Sequence, residues 1–228
     1  MFAGYIPWDI IKYNFVTNII QTFTISSSAY INSSLDTLAV ALFTVGTVHL
    51  EIINENLREF DYTRSEDEVS KEFKSIIMYH QNVIIFIRKV EKLFGYGLFF
   101  QFAASVGVIC MTGFQLLVID TFSIEFAMLT SYFMCMMTQV YILTKSGQII
   151  TIQSHELVRS VYMSNWYEST PKVRKMIFIF MERCKKPIVC TAGNFFTLSL
   201  ATLITIIKSS YSYYAVLRSI YIKNSEYP

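Results

Sequence analysis

A row of small hydroxyl side chains near the end of the chain is the pattern with the clearest chemical use. Its members recur every three or four residues and include one aliphatic side chain: Ser199, Thr202, Thr205, Ser209, Ser212, Val216 and Ser219. On an α-helix this spacing places them on one face. Such a face suits a water-lined ion path with a hydrophobic constriction, and it also suits a close seam between two helices. The spacing leaves both interpretations open and by itself slightly favours the seam.

Side chains that carry catalysis or bind metals are scattered along the chain. The histidines His49, His80 and His155 are far apart in sequence. Four cysteines are present, and no pair has metal-ligand spacing: Cys110, Cys135, Cys184 and Cys190. Buried free thiols are the expected state of these cysteines. We therefore predict that the chain is not an enzyme and has no metal site and no cofactor.

The composition indicates that lipid is the solvent for much of the chain. Hydrophobic residues make up 53% of the 228 residues, and charged residues only 16%, which is low for a soluble domain. Residues 187–207 carry no charge, and they are long enough to cross a bilayer as one helix. The net charge of +2 and the lack of a basic, aromatic-rich patch predict no nucleic-acid partner.

Four transmembrane helices are predicted, at about residues 11–50, 93–119, 126–144 and 187–215. The hydrocarbon core offers no hydrogen-bond partner to the backbone, so we expect helix throughout these stretches. Pro187 is expected to end or kink a preceding short helix and to start the last span. Asp36 falls inside the first span and must face protein or water. It is either a polar group of a pocket or a hydrogen-bonded structural residue.

The two long connections, about residues 51–92 and 145–186, hold most of the basic residues. Lys and Arg concentrate on the cytoplasmic side of membranes, so both are predicted to be cytosolic, with both ends of the chain outside. The first residues carry no targeting pattern for that crossing, so we expect upstream spans in a longer protein.

Helical periodicity continues into these connections. The apolar residues that follow it are Leu50, Ile53, Leu57, Phe73, Ile76, Ile77, Ile84 and Ile87. The helices are therefore predicted to extend below the membrane and to pack as a cluster, with residues 61–71 as a charged loop. Frayed, solvated helix ends are the alternative. Thr170 and Pro171 predict the start of another helix.

Several segments give the chain a resemblance to the insect odorant receptor family. They are HQNVIIFIRKVEKLFGYGLFFQF (80–102), VGVICMTGF (106–114), the spaced set Gly147, Ser154, Tyr162 and Trp166, and most strongly KKPIVCTAGNFFTLSLATLITIIKSSYSYYAVLR (185–218). The opening PWDIIKYNF resembles the outer loop before the family's fourth helix. The resemblance implies an all-α membrane protein corresponding to helices four to seven of a seven-helix insect chemoreceptor fold.

The resemblance also implies a function, that of a tuning subunit in a tetrameric, odorant-gated cation channel that includes a shared co-receptor. It implies that the last helix lines the pore. The resemblance therefore changes the preferred interpretation of the hydroxyl row from a helix–helix seam to a pore face. Ser209, Ser212, Val216 and Ser219 are thus predicted to line the pore, with Val216 as the gate. Arg218 and Ser219 depart from the family's ending and fit a tuning subunit better than the co-receptor.

A small volatile odorant is the ligand that the resemblance implies, bound in the membrane half of the subunit. Aromatic and methionine side chains suit such apolar contacts. The residues predicted to contribute are Ile20, Phe23, Tyr132, Phe133 and Met136, for which ordinary helix packing is the alternative. The implied location is the plasma membrane of a sensory neuron dendrite. A gustatory receptor of the same superfamily and a non-conducting membrane scaffold remain alternative functions.

Overall fold

The computed structural model describes residues 14–119, 123–193 and 195–226. These residues form helices α1 (Asn14–Arg58), α2 (Glu66–Val118), α3 (Ile124–Met163), α4 (Pro171–Cys184) and α5 (Leu200–Glu226). A 3₁₀ turn, Trp166–Glu168, precedes α4. Strands β1 (Thr191–Ala192) and β2 (Phe196–Thr197) pair antiparallel as a small hairpin.

Three of the described helices, α1, α2 and α3, are long and apolar enough to cross a membrane. They contain 45, 53 and 40 residues, which corresponds to lengths of about 60 to 80 Å. The hydrocarbon core is only about 30 Å thick, so each helix must continue well beyond it. The predicted all-α membrane protein with helical extensions is confirmed. In α5 the described apolar run is shorter, Leu200–Ser209.

Contacts divide the chain into two units, residues 1–39 and residues 40–228. The described part of the first unit is the first half of α1, and its large apolar side chains, such as Phe15 and Tyr30, are exposed. The serine and threonine hydroxyls in this half of α1 do not interrupt the helix. Ser34 and Thr37 each donate to the carbonyl oxygen four residues earlier, both at 2.8 Å. This local bonding lets a serine-rich stretch remain helical.

The second unit contains a packed cluster of helices. Its fully buried side chains include Leu50, Ile53, Leu57, Phe73, Ile87, Ile150, Leu157 and Ile177. Phe73 of α2 meets Phe180 of α4 edge to face, with ring centroids 5.7 Å apart, an arrangement that aromatic pairs favour. The predicted packing of these helices is therefore confirmed, and the alternative of frayed helix ends is wrong, whereas the cytosolic location of the cluster stays a prediction.

A buried polar network joins the end of α1 to α3. Asn54 donates to the carbonyl oxygen of Gln153 at 3.0 Å and accepts from the Ser160 hydroxyl at 2.8 Å. Arg58 donates to the same hydroxyl at 3.2 Å and lies 3.7 Å from Glu156. A slip of either helix would leave buried polar groups without partners, so the network sets the register of the two helices.

Helix boundaries in the connections follow the capping residues. Thr170 occupies the N-cap position of α4 and Pro171 its first turn, as predicted, although the Thr170 hydroxyl makes no capping hydrogen bond. The predicted charged loop is shorter than expected, because α2 already begins at Glu66. Its first turn contains three acidic residues, Glu66, Asp67 and Glu68. Their negative charges stabilise the helix by interacting with the positive end of its dipole.

The prediction of a single helix over residues 187–215 is wrong in its first part. Pro187 follows the end of α4 but does not start another helix, because α5 begins only at Leu200. The described residues between the two helices include the two short strands of the hairpin, and Phe196 lies in β2. Gly193 has a φ of 59°, which interrupts a right-handed helix.

His80 provides a test of the packed cluster. His80 is only 4% exposed, and the centroid of its ring lies 5.4 Å from that of the Phe180 ring. Burial, assisted by the Arg183 charge, lowers the pKa of His80 from 6.5 to about 4. The unfolded chain therefore takes up a proton at a pH where the folded chain does not. Stability is complete above pH 6.5 and declines as the pH falls toward 4.

We expect thermal unfolding of the detergent-solubilised chain to show this loss between pH 7.5 and pH 5. The contribution of His80 is on the order of 2 kcal/mol, and His80→Leu should remove that part of the decline. His155→Gln, at an exposed position, should retain the full decline. Equal declines in wild type and His80→Leu would contradict the prediction.

Candidate functional site: the linker below the last helix

The linker, defined as residues 185–199 between α4 and α5, determines where the last helix begins. Its hairpin pairs Thr191 with Thr197 and Ala192 with Phe196. The amide of Leu198 donates to the carbonyl of Cys190 at 2.9 Å. These bonds satisfy part of a backbone that has no helix to satisfy it.

Helix α3 provides partners for both ends of the linker. The Ser154 hydroxyl accepts from the amide of Ile188 at 2.8 Å, and the Thr151 hydroxyl donates to the Ile188 carbonyl at 3.0 Å. The side-chain oxygen of Gln148 accepts from the amide of Leu200 at 2.7 Å. Three side chains on successive turns of α3 thus replace the hydrogen bonds that a helix would make internally.

Helix α2 holds the hairpin through Glu91. One carboxylate oxygen of Glu91 accepts from the amide of Thr191 at 2.7 Å and also from the Thr191 hydroxyl. The other oxygen lies 2.6 Å from Nη1 of Arg88, and Arg88 also donates to the carbonyl of Val189 at 3.2 Å. Bonds to a charged acceptor are stronger than neutral ones, so Glu91 is the strongest attachment of the linker to α2.

Two glycines allow the linker to approach the helices closely. A Cβ atom on Gly147 would lie 2.3 Å from the Cβ atom of Leu198 and 2.8 Å from its carbonyl oxygen. A Cβ atom on Gly193 would lie 2.9 Å from that of Phe99. Both contacts are too short for any side chain. Gly147 therefore lets Leu198 of the linker lie against the backbone of α3, and Gly193 lets the linker backbone lie against the side chain of Phe99.

The spaced residues that carried the resemblance have different roles in the structure. They are Gly147, Ser154, Tyr162 and Trp166. Gly147 and Ser154 contact the linker. Trp166 packs on Phe178 of α4 with ring centroids 5.3 Å apart, and Tyr162 is exposed. The sequence identified Gly147 and Ser154 only by resemblance, and it gave no reason to single out Glu91.

The hydroxyl row begins differently from the prediction. Ser199 precedes α5 and caps it, because its hydroxyl accepts from the amide of Thr202 at 3.3 Å. The Thr202 hydroxyl donates to the carbonyl of Thr197 at 2.6 Å. Thr205 donates to the carbonyl of Ala201 at 3.0 Å. The first three hydroxyls of the row, on Ser199, Thr202 and Thr205, therefore stabilise the start of α5.

The residues predicted to line a pore lie further along α5. Val216 is 57% exposed, Ser212 is exposed and Ser209 is half-buried, whereas Leu203 is buried. Ser219 lies on the same helix, but its side chain is outside the described residues. The pore and gate roles of these four residues stay predictions.

The residues predicted to contact an odorant lie on two helices. Ile20 and Phe23 lie in the first half of α1 and are exposed. Tyr132, Phe133 and Met136 share one face of α3, where Tyr132 is exposed and the other two are half-buried. Their role in ligand binding also stays a prediction.

Cysteines and other potential metal ligands do not form a site in the described part of the chain. Cys110, Cys184 and Cys190 are buried free thiols, but Cys135 is exposed, contrary to expectation. No group of three or more His, Cys, Asp or Glu side chains among residues 14–119, 123–193 and 195–226 could hold a metal ion.

The contact of Gly147 with Leu198 can be tested with a matched pair of substitutions. Gly147→Ala should lower stability by about 1 to 3 kcal/mol, because the added methyl group must displace buried backbone. Gly107→Ala should leave stability unchanged or raise it by up to about 1 kcal/mol, since nothing lies within 4 Å of the added Cβ atom. Thermal unfolding in detergent measures both, and equal effects would contradict the close approach.

Comparisons with known proteins agree with this architecture. The family model described as 7tm Odorant receptor matches residues 1–211. Odorant receptor 94a of Drosophila melanogaster is 27% identical over 192 residues, which cover 83% of this chain and 49% of the relative. Odorant receptor 85c of the same species is 28% identical over 221 residues, which cover 96% and 57%. The chain spans about half the length of the curated relatives it matches.

A solved structure shows the same fold. It is the insect olfactory receptor OR5 from Machilis hrabei in complex with eugenol, with a TM-score of 0.82 and 19% sequence identity. The match covers 95% of this chain and 56% of that receptor. The resemblance found in the sequence is thus confirmed by a family match that extends through α1, α2 and α3 and into α5. This multi-pass membrane chain belongs to the odorant receptor family.

Proposed function

We propose that this chain forms helices four to seven of a tuning subunit in an odorant-gated cation channel. The observation that carries the proposal is the family match over residues 1–211. The proposed ligand is a small volatile odorant, and the proposed partner is a co-receptor subunit in a heterotetramer. The proposed location is the plasma membrane of a sensory neuron dendrite. A relative of this fold has been solved with a small ligand, eugenol.

The distribution of charge supports an orientation for the proposed subunit. The basic extensions, about residues 51–92 and 145–186, are placed in the cytosol by the excess of Lys and Arg there. The spans are then about residues 14–50, 93–119 and 126–144, together with α5 from Leu200. In this orientation the linker lies near the cytosolic boundary of the membrane and α5 leads outward from it.

The proposed pore face of α5 consists of Ser209, Ser212, Val216 and Ser219. Val216 is well exposed in the single chain, so it can meet the same position of neighbouring subunits around a central axis. A ring of aliphatic side chains closes a narrow path by excluding water. The serines on either side of it would keep the open path hydrated.

The linker supports a proposed route from ligand to gate. Tyr132, Phe133 and Met136 lie on the same continuous helix, α3, as Gly147 and Ser154, which contact the linker. A ligand that favours one position of α3 therefore also favours one position of the base of α5. Moving such an equilibrium from 1:99 to 99:1 requires about 5.5 kcal/mol of differential binding. A small odorant in one type of subunit would accordingly open the channel only in part.

The gate is tested in a full-length receptor that contains this segment, co-expressed with the co-receptor. Val216→Ser should raise the basal current several-fold, because a hydroxyl in place of an aliphatic side chain wets the constriction. Val216→Ile should keep the basal current low. Val48→Ser is the matched control, since Val48 is an exposed helical valine on α1, and it should leave the current unchanged.

The outcomes separate the proposed roles. Unchanged basal current and unchanged ion selectivity in Val216→Ser would contradict the proposed role of Val216 as the gate. Normal surface expression without any odour-evoked current would instead favour a non-conducting scaffold. A response to non-volatile tastants without a response to odorants would favour the gustatory alternative.

A further inference from the structure

An open cavity of about 320 Å³ lies between α2 and the hairpin of the linker. Arg88, Glu91, Lys92 and Tyr96 line it from α2, and Thr191 lines it from β1. All of these residues belong to the second unit. The cavity is therefore adjacent to the contacts that hold the linker.

The cavity holds an excess of one positive charge, because a single carboxylate, Glu91, lies with two cations, Arg88 and Lys92. Both carboxylate oxygens of Glu91 are occupied, one by Thr191 and the other by Arg88. The contacts of Arg88 use Nη1 alone, so its remaining N–H donors have no partner among the described residues. Lys92 is exposed and forms no ion pair or hydrogen bond with the described residues. The cavity thus presents an ammonium and part of a guanidinium to an anion.

The surface directly above these cations is apolar. Lys92 is the last charged residue before the charge-free run of α2. Leu93, Tyr96 and Phe100 follow on one face of the helix and are 73%, 74% and 67% exposed. Phe195 at the tip of the hairpin is also exposed and lies beside Phe99, with ring centroids 5.2 Å apart and ring planes inclined at 42°. Cations beneath an exposed aromatic surface are typical of the membrane–water boundary.

We propose that this cavity binds the phosphate headgroup of an anionic phospholipid from the surrounding bilayer. Lys92 and the unused N–H groups of Arg88 donate to the phosphate, and the acyl chains lie along Tyr96, Phe100 and Phe195. A free phosphate ion would use only the cations, whereas a phospholipid uses both the cations and the apolar surface. Because Arg88 also holds Glu91, the bound lipid joins the network that fixes Thr191. The proposal depends on membrane embedding and does not depend on the proposed pore.

Native mass spectrometry of the detergent-purified chain tests the site by titration with phosphatidylinositol 4,5-bisphosphate, phosphatidylserine and phosphatidylcholine. We expect both anionic lipids to be retained in preference to phosphatidylcholine. Lys92→Gln should weaken their binding about fivefold, the effect of one basic residue near a phospholipid headgroup. Lys92→Arg should restore binding, because it restores the cation and its donors.

Lys71→Gln is the matched control, since Lys71 is an exposed lysine near the start of α2 and 21 residues before Lys92. It should leave lipid binding unchanged. Amide hydrogen exchange at Thr191 should slow when anionic lipid is added to wild type and should not slow in Lys92→Gln. Equal weakening by both Gln variants would overturn the proposal, because it would indicate an effect of net charge alone. Displacement of the lipid by millimolar inorganic phosphate would also overturn it, since the site would then be a simple anion site.

Discussion

The position of the last helix depends on one constraint, that the buried backbone polar groups of the linker must find hydrogen-bond partners within the protein. A helix satisfies most of its own backbone polar groups, but an extended segment does not. Glu91, Gln148 and Ser154 supply the missing partners from two different helices. Because these bonds cross from α2 and α3 to the linker, the base of α5 cannot move independently of either helix.

The close approach that these bonds need is possible only where side chains are absent. Hydrogen bonds of about 3 Å from α3 require the linker to lie almost against the helix backbone. Gly147 provides that space beneath Leu198, and Gly193 provides it beside Phe99. The glycines therefore have a structural role that their low helix propensity would not suggest. Contacts this close leave little freedom to adjust, so the linker has few alternative positions.

Apolar periodicity was sufficient to predict α1, α2 and α3 and their packing, because burial follows the spacing of residues such as Phe73 and Ile87 directly. It failed at residues 187–199, since a buried extended segment and a buried helix are equally free of charge. Pro187 and Gly193 were the available indications of an interruption. Glu91 could not be predicted as part of the site, because its partner Thr191 is 100 residues away and no local pattern connects them.

In the proposed channel, α3 tilts as a rigid helix about its C-terminal end, which the hydrogen bond between Asn54 and Ser160 holds in place. From Ser160, Gly147 lies about 20 Å along the helix and Met136 about 36 Å, at a rise of about 1.5 Å per residue. A tilt of α3 about that end therefore moves Gly147 by about half the distance that it moves Met136. A displacement of about 1 Å near the membrane half would shift the Gly147–Leu198 contact by about 0.5 Å. Since Leu198 already lies directly against the backbone of Gly147, the linker must follow, and tightly packed contacts of this kind convert small shifts into discrete changes.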